Sequence, residues 1–309
     1  MYRSTLTTLL ASAFFSIAAS FPLLAAEPSF QRFVGAESET FKEPGEALEA
    51  LKKDLGAKDV DGVAKVLGLN AEAAKKSESF DERLSDLQKA SGERAELKDR
   101  KDGSKEVILG NLAWPFPFPL VKQDAGWQFD TKKGLEEILA RRIGENENEA
   151  IQTCRSYIAA QTAYAREDHD DDGVLEYAQK IISDEGKQDG LYWKSDGGEQ
   201  SPAGSFGDDA RIEGAAASDQ GYYGYRFRIL KSQGSNIAGG KYDYVINGNM
   251  IAGHALIAWP AKYGETGIKT FVVSHQGNIY EKDFGPATDK TVKEIRSFNP
   301  DKTWEPVED

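Results

Sequence analysis

The spacing of apolar residues in the first third of the chain indicates short helices. Between residues 44 and 93, apolar side chains recur at every third or fourth position, which is typical of a helix with one buried face. Pro44 stands where a first helical residue tolerates the missing N–H, and Gly56 and Gly68 follow two of the apolar stripes. We therefore predict helices over residues 44–55, 60–67 and 80–87.

After residue 93 the apolar period shortens, which favours strands. Strands are predicted over residues 94–97, 106–109 and 126–130. The segment 116–121 alternates apolar residues with Pro117 and Pro119, so we expect it at a sheet edge or a bulge. Helices followed by a small antiparallel sheet predict an α+β domain over residues 27–132.

The second part of the chain begins with a strongly helical pattern. We predict that a helix starts at Gly134 and that Gly144 breaks it. Asn146, with Glu149 three residues later, has the spacing of a capping box that opens a new helix. The apolar stripe of this helix contains Ile151, Cys154, Ile158 and Ala165.

Strand patterns dominate the chain after this helix. We therefore predict that residues 133–309 form a domain in which a long helix packs on an antiparallel sheet. The best strands cover residues 222–230, 252–259, 268–274 and 278–282, and residues 275–278 suit a hairpin turn between the last two. Residues 183–220 are rich in Gly, Asp and Ser, which indicates a long loop. A short helix is expected after Asp289.

The first 26 residues have the order of a secretory signal peptide. Arg3 precedes an apolar run, and the small residues Ala25 and Ala26 close it. We expect cleavage after Ala26 and a periplasmic or secreted protein. Apolar runs long enough to span a bilayer are missing from the rest of the sequence, so stable membrane insertion after cleavage is not expected.

The net charge and the cysteine content restrict the possible partners and the possible cysteine chemistry. The formal net charge of −13 repels phosphate backbones, so nucleic acid is excluded as a partner and cationic ligands are favoured. Cys154 is the single cysteine, so the chain forms no internal disulfide and no thiolate metal cluster. Its place on an apolar helix face predicts a buried, inert thiol.

The best chemical motif is an acidic run that matches the opening of a calcium-binding EF-hand loop. Its aspartates occupy loop positions 1, 3 and 5, and Gly173 permits the sharp turn. The predicted ligand set is Asp168, Asp170, Asp172, the backbone carbonyl of Val174, Glu176 and Gln179. Gln179 replaces the bidentate glutamate of position 12, which weakens the site. The alternative is a solvated acidic helix end.

The other sequence motifs give weaker evidence for a specific chemistry. His169, His254 and His275 lack zinc-hydrolase spacing, and no nucleophile elbow is present in the sequence. Paired carboxylates could serve a hydrolase, but acidic residues are too abundant to be diagnostic. Tyr192 and Trp193 lie in the loop-rich region and are predicted as a binding surface for a sugar or a peptide.

Several strings in the sequence are similar to one family of exported bacterial proteins, known as domain of unknown function 2950. They include Trp114-Pro115-Phe116-Pro117, Gly126-Trp127-Gln128-Phe129-Asp130, Asp189-Gly190-Leu191-Tyr192-Trp193 and Ala258-Trp259-Pro260. The resemblance covers nearly all of the chain after the signal segment. It implies export and the two-part organisation, and it implies no activity.

The second domain by itself resembles the globular part of type II secretion pseudopilins. The resemblance rests on the helix with Gln161 and Tyr164, the acidic loop and the string Gly224-Tyr225-Arg226-Phe227. A pseudopilin has a membrane helix directly before this unit, whereas here a folded domain precedes it. The first domain is similar in element order to the cystatin-like or nuclear transport factor 2-like plan.

These observations predict a non-enzymatic interaction module of the cell envelope with a calcium-braced loop. Its partner would be an envelope protein or polymer. Two alternatives remain open at this point: a cell-envelope hydrolase that uses paired carboxylates, and a structural accessory of a secretion or surface assembly.

Overall fold

The protein has an α+β architecture. The computed structural model describes residues 29–77, 80–194, 200–204 and 219–308, so the predicted signal segment, residues 1–26, lies outside the described residues. A 3₁₀ turn at Ser29–Phe33 precedes the first helices. These are α1 (Pro44–Ala57), α2 (Val60–Leu67), α3 (Ala71–Lys75) and α4 (Phe80–Glu93). The three predicted helices are confirmed, and α3 is an addition that the apolar pattern did not indicate.

An antiparallel sheet follows the helices, as predicted. Its strands are β1 (Ala95–Asp99), β2 (Lys105–Leu109), β3 (Trp114–Pro115), β4 (Leu120–Gln123) and β5 (Gly126–Phe129), in the order β1-β2-β4-β5 with β3 on β2. The proline-rich segment does not form an edge strand. Pro117 and Pro119 precede β4, and β4 itself lies inside the sheet because the prolines fall before its ladder begins.

One uninterrupted helix, α5 (Thr131–Tyr164), joins the two halves of the chain over 34 residues. The side chain of Asp130 caps it by accepting a hydrogen bond from Lys133 N at 3.0 Å. The predicted break at Gly144 and the predicted cap at Asn146 are wrong. Glycine weakens a helix by only about 1 kcal/mol, and tertiary contacts on both sides of Gly144 outweigh that cost.

Helix α5 contributes to two separate hydrophobic cores. Leu135 near its start packs in a first core with residues of α1, α2 and the first sheet. Its later residues, including Ala150, Cys154 and Tyr157, pack against the second sheet. The helix therefore extends from one core into the other across the predicted boundary at residues 132–133.

A second antiparallel sheet makes up most of the remaining structure. It contains β6 (Tyr225–Leu230), β11 (Ala255–Pro260), β12 (Lys269–Ser274), β13 (Ile279–Asp283) and β14 (Glu305–Pro306), in the order β14-β13-β12-β11-β6. Two ribbons flank it, β7 (Ser232–Gln233) with β8 (Tyr242–Asp243), and β9 (Val245–Ile246) with β10 (Asn249–Met250). The predicted hairpin between β12 and β13 and the predicted late helix, α6 (Thr288–Glu294), are confirmed.

Both faces of the central strands are buried, which explains their nearly continuous apolar sequence. Leu256 and Phe271 face α5, whereas Ile257 and Val272 pack on the opposite side with Val292 of α6. Parts of the predicted loop 183–220, namely residues 195–199 and 205–218, lie outside the described residues.

Two glycines of α5 are expected to respond oppositely to alanine. A Cβ at Gly144 would meet no atom within 4 Å, so Gly144→Ala should stabilise the protein by about 0.5–1 kcal/mol through helix propensity. A Cβ at Gly134 would lie 2.0 Å from Cδ1 of the buried Phe118, so Gly134→Ala should destabilise it by about 1–3 kcal/mol. Urea unfolding of both variants checks the pair, and equal effects would contradict it.

Candidate calcium site

The acidic loop begins where α5 ends. The helix stops at Tyr164, and the chain then curls around the side chain of Asp168. Asp168 accepts hydrogen bonds from Gly173 N at 2.8 Å and from Asp170 N at 3.3 Å. Gly173 and Asp171 have left-handed backbones, with φ of 82° and 60°, which lets the loop close on itself. The local sequence therefore folds the loop around its first carboxylate.

This curl brings three predicted ligands together. One carboxylate oxygen from each of Asp168, Asp170 and Asp172 lies within 4.8 Å of the others, and all three side chains are exposed. The hydrogen bond from Gly173 N lowers the pKa of Asp168. Partial desolvation and the negative charge of Asp172 raise the pKa of Asp170. The three carboxylates thus repel one another, and a bound cation would remove that repulsion.

The three remaining predicted ligands are placed differently. Glu176 accepts hydrogen bonds from Met250 N at 2.7 Å and from Gln179 Nε2 at 3.3 Å. Gln179 donates to Gly248 O at 2.6 Å and accepts from Lys231 Nζ at 2.9 Å. Val174 N donates to Asp172 Oδ1 at 2.8 Å. Glu176 and Gln179 therefore hold the β9–β10 hairpin, while the aspartates form the cluster.

The chain after Gly173 is extended, whereas an EF-hand loop leads into a second helix. Tyr177 N donates to Met250 O at 2.9 Å, so this segment runs beside β10. Asn249 Nδ2 donates to Asp172 Oδ2 at 2.6 Å. Asn249 is a contact that sequence reasoning missed, because it lies 77 residues further along the chain. The aspartate cluster is consequently tied to the hairpin as well as to α5.

The predicted aromatic surface is mostly enclosed. Tyr192 is only 4% exposed, so its ring lies within the protein. Trp193 is half-buried, with its ring 5.6 Å from that of His169. His169 in turn stacks on Tyr164 at 4.0 Å and lies 3.1 Å from the Tyr164 carbonyl oxygen. The rings of Tyr164, His169 and Trp193 therefore pack together beside the start of the acidic loop.

The predicted burial of the single cysteine is confirmed. Cys154 is fully buried, and burial raises the pKa of its thiol to about 12. A thiol held in this neutral form is a poor nucleophile.

The molecule is thus an α+β protein with one helix shared by two cores and an acidic loop at the end of that helix. Residues 38–307 match the model of a family described as protein of unknown function, DUF2950, and the chain belongs to that family. No curated protein and no solved structure matches the chain. The resemblance to pseudopilins is therefore without support from these comparisons.

The length and polarity of the helices bear on whether the protein spans a membrane. Within the described ranges, none is both long enough and apolar enough to cross a bilayer. Helix α5 has the length, but charged and polar residues interrupt it throughout.

Proposed function

We propose that this protein is an exported, non-enzymatic interaction module of the cell envelope, and that its Asp168–Gly173 loop binds calcium. The observation that carries the calcium proposal is the convergence of the Asp168, Asp170 and Asp172 carboxylates. Calcium prefers six to eight oxygen ligands. Three protein carboxylates would supply part of that shell, and water would complete it.

Calcium would act as a brace between two parts of the second domain. Asp168 lies a short segment after the end of α5 at Tyr164, whereas Asp172 is hydrogen-bonded to Asn249 of the β9–β10 hairpin. An ion shared by these side chains would connect the helix end to the hairpin. It would also offset the partial desolvation and the repulsion from Asp172 that together raise the pKa of Asp170. The expected result is a more rigid loop on this surface.

The proposed partner is an envelope protein or polymer. The net charge of −13 supports a partner with basic groups and argues against nucleic acid. Export itself is proposed from the signal-like residues 1–26. Envelope localisation is tested by cell fractionation of the full-length chain, and a cytoplasmic, uncleaved product would contradict it.

Calcium binding is expected to raise the thermal midpoint of the protein without its signal segment. A ligand that binds only the folded state stabilises it by mass action, so about 1 mM calcium should raise the midpoint by about 2–3 °C over chelator if Kd is near 10⁻⁴ M. Asp170→Ala removes one carboxylate of the trio and should abolish this rise. Differential scanning calorimetry makes the measurement.

Glu167→Ala provides the matched control. Glu167 is exposed, lies one residue before the loop and is outside the trio, so its loss changes the net charge equally. It should leave the calcium response intact. A response lost equally in both variants would indicate nonspecific charge screening, and no response in the unaltered protein would make the acidic run a solvated helix end.

Interaction is tested separately by chemical crosslinking in envelope fractions, with and without calcium. A defined crosslinked partner that depends on the intact loop would support the interaction module. A chain that remains uncrosslinked and monomeric in every fraction would overturn it.

A further inference from the structure

Two histidines face each other at one end of the second sheet. Strands β11 and β12 pair antiparallel with Ala255 opposite Ser274, so the next positions, His254 and His275, are cross-strand neighbours. His275 N donates to His254 O at 2.9 Å, which continues the ladder by one step. Side chains at such directly opposed positions have Cβ atoms about 5 Å apart.

Both imidazoles have a buried nitrogen without a hydrogen-bond partner. His254 is only 2% exposed, and its Nδ1 atom has no partner among the described residues. The Nδ1 atom of the half-buried His275 is likewise buried and unpartnered. Leaving a buried polar atom unsatisfied costs about 1–3 kcal/mol, so two such atoms in one place need an explanation.

The unpartnered nitrogen of His275 lies close to the chain segment that carries His254. A Cβ placed on Gly253, the residue before His254, would lie 2.8 Å from Nδ1 of His275. The His275 imidazole therefore packs against the backbone of the residue that precedes His254. The centroids of the two imidazole rings are 6.0 Å apart, with an interplanar angle of 66°.

That ring separation fits a shared metal ion. A metal–nitrogen bond of about 2.0–2.1 Å places the ion about 3.2 Å from the centroid of each ligating ring. Two rings on one ion are then separated by about 5–6.4 Å, depending on the angle at the metal. The observed 6.0 Å lies in this interval.

The surroundings hold the pair in place. The rings of Tyr157 and Tyr177 pack against His254 at centroid distances of 5.2 and 4.6 Å, and Tyr244 packs against His275 at 5.9 Å. Burial, followed by the proximity of His275, lowers the pKa of His254 to about 3. The neutral imidazole is the form that ligates metals, so protons do not compete for this ligand near neutral pH.

We propose that His254 and His275 form a two-imidazole binding site for a first-row transition-metal ion, of the class of zinc or copper. Nitrogen ligands favour these ions, whereas calcium and magnesium require oxygen. The site is therefore chemically distinct from the aspartate loop, and it does not depend on the proposed calcium function. Both Nδ1 atoms are buried, so an ion must enter past the half-exposed ring of His275.

The test uses the protein without its signal segment, loaded with Zn²⁺ or Cu²⁺ after removal of metals by a chelator. Isothermal titration is expected to give one site per chain. Electron paramagnetic resonance of the Cu²⁺ form should show hyperfine coupling to two nitrogens. His254→Gln and His275→Gln should each lower the affinity by about 100-fold and reduce the coupling to one nitrogen.

His169→Gln and Asp170→Ala are the controls, since they alter the other histidine and the acidic loop, and both should retain the site. His275→Gln is the more informative variant because this partly exposed residue is replaced with less risk to folding, which circular dichroism verifies. Unchanged affinity in His275→Gln, or no binding by the unaltered protein at about 0.1 mM metal, would overturn the proposal. Loss of binding in Asp170→Ala alone would assign the metal to the acidic loop and overturn it equally.

Discussion

Replacing Glu147 with alanine is expected to lower the free energy of unfolding by about 3 kcal/mol. One carboxylate oxygen of Glu147 accepts hydrogen bonds from Ile268 N at 2.8 Å and from Lys269 N at 3.0 Å. Alanine would remove two charge-assisted bonds and leave two backbone donors at the start of β12 without their partner. Hydrogen bonds to a charged group are worth about 1.5–3 kcal/mol each, and the half-buried setting reduces their sum.

The neighbouring contacts explain why this position matters for the docking of α5. Asn146 Nδ2 donates to Thr266 O at 2.8 Å, and Arg142 Nη2 donates to Glu265 O at 2.9 Å. One face of the helix thus holds the whole turn before β12. Weakening it at Glu147 should also increase amide hydrogen exchange at Ile268.

Glu149→Ala is the matched control for Glu147→Ala. Glu149 lies two residues later on the same helix, and its side chain is exposed. The substitution should change stability by no more than about 0.5 kcal/mol. Urea unfolding of the two variants makes the comparison. Equal losses would mean that helix charge, and not the contact with β12, determines the effect.

Acidification is expected to destabilise the protein through His254. Its folded-state pKa is lowered to about 3 by burial and by His275, whereas an unfolded histidine titrates near 6.5. The unfolded state therefore takes up a proton first, below pH 6.5. The stabilisation is complete above pH 6.5 and decreases by about 1.4 kcal/mol per pH unit as the pH falls toward 3.

The interval from pH 7 to pH 5 suits the measurement, because most carboxylates remain ionised there, and the histidine variants isolate the contribution of His254. In the presence of a chelator, the unaltered protein should lose about 2 kcal/mol over this interval. His254→Gln should start less stable but lose little more on acidification. His169→Gln, which leaves the buried pair in place, should keep the full slope. A slope that persists in His254→Gln would show that another group titrates.

Local pattern was sufficient to predict most of the elements. The stripe of Ala47, Leu48, Leu51 and Leu55 predicted α1 because a helix that buries one face repeats apolar residues with its own period. Strands β11 and β12 were predicted from continuous apolar runs. Such runs can be recognised without knowing the partner strand, because both faces of these two strands are buried.

The continuity of α5 could not be predicted from local signals. Gly144 and the Asn146–Glu149 spacing are reasonable signs of a helix end, yet the helix continues to Tyr164. The side chains of Asn146 and Glu147 hydrogen-bond to the turn before β12. These partners lie more than a hundred residues away in sequence, so no local pattern shows them.

The candidate calcium site could likewise be predicted only in part. Asp168, Asp170 and Asp172 were predicted together because their alternate spacing and the following glycine curl the backbone locally. Glu176 and Gln179 have suitable spacing as well, but the β9–β10 hairpin engages their side chains. The pairing of His254 with His275 was missed, although the predicted strands on either side would have indicated it once their register was known.

The sequence by itself determined the α+β class, the family, the main helices and strands, and the acidic turn. Each of these depends on periodicity or on residues within a few positions of one another. Only the tertiary structure decided that α5 is one helix in two cores, that Glu176 and Gln179 contact the β9–β10 hairpin, and that two histidines meet. Those features depend on contacts between distant segments, whose free energy outweighs local propensities of about 1 kcal/mol.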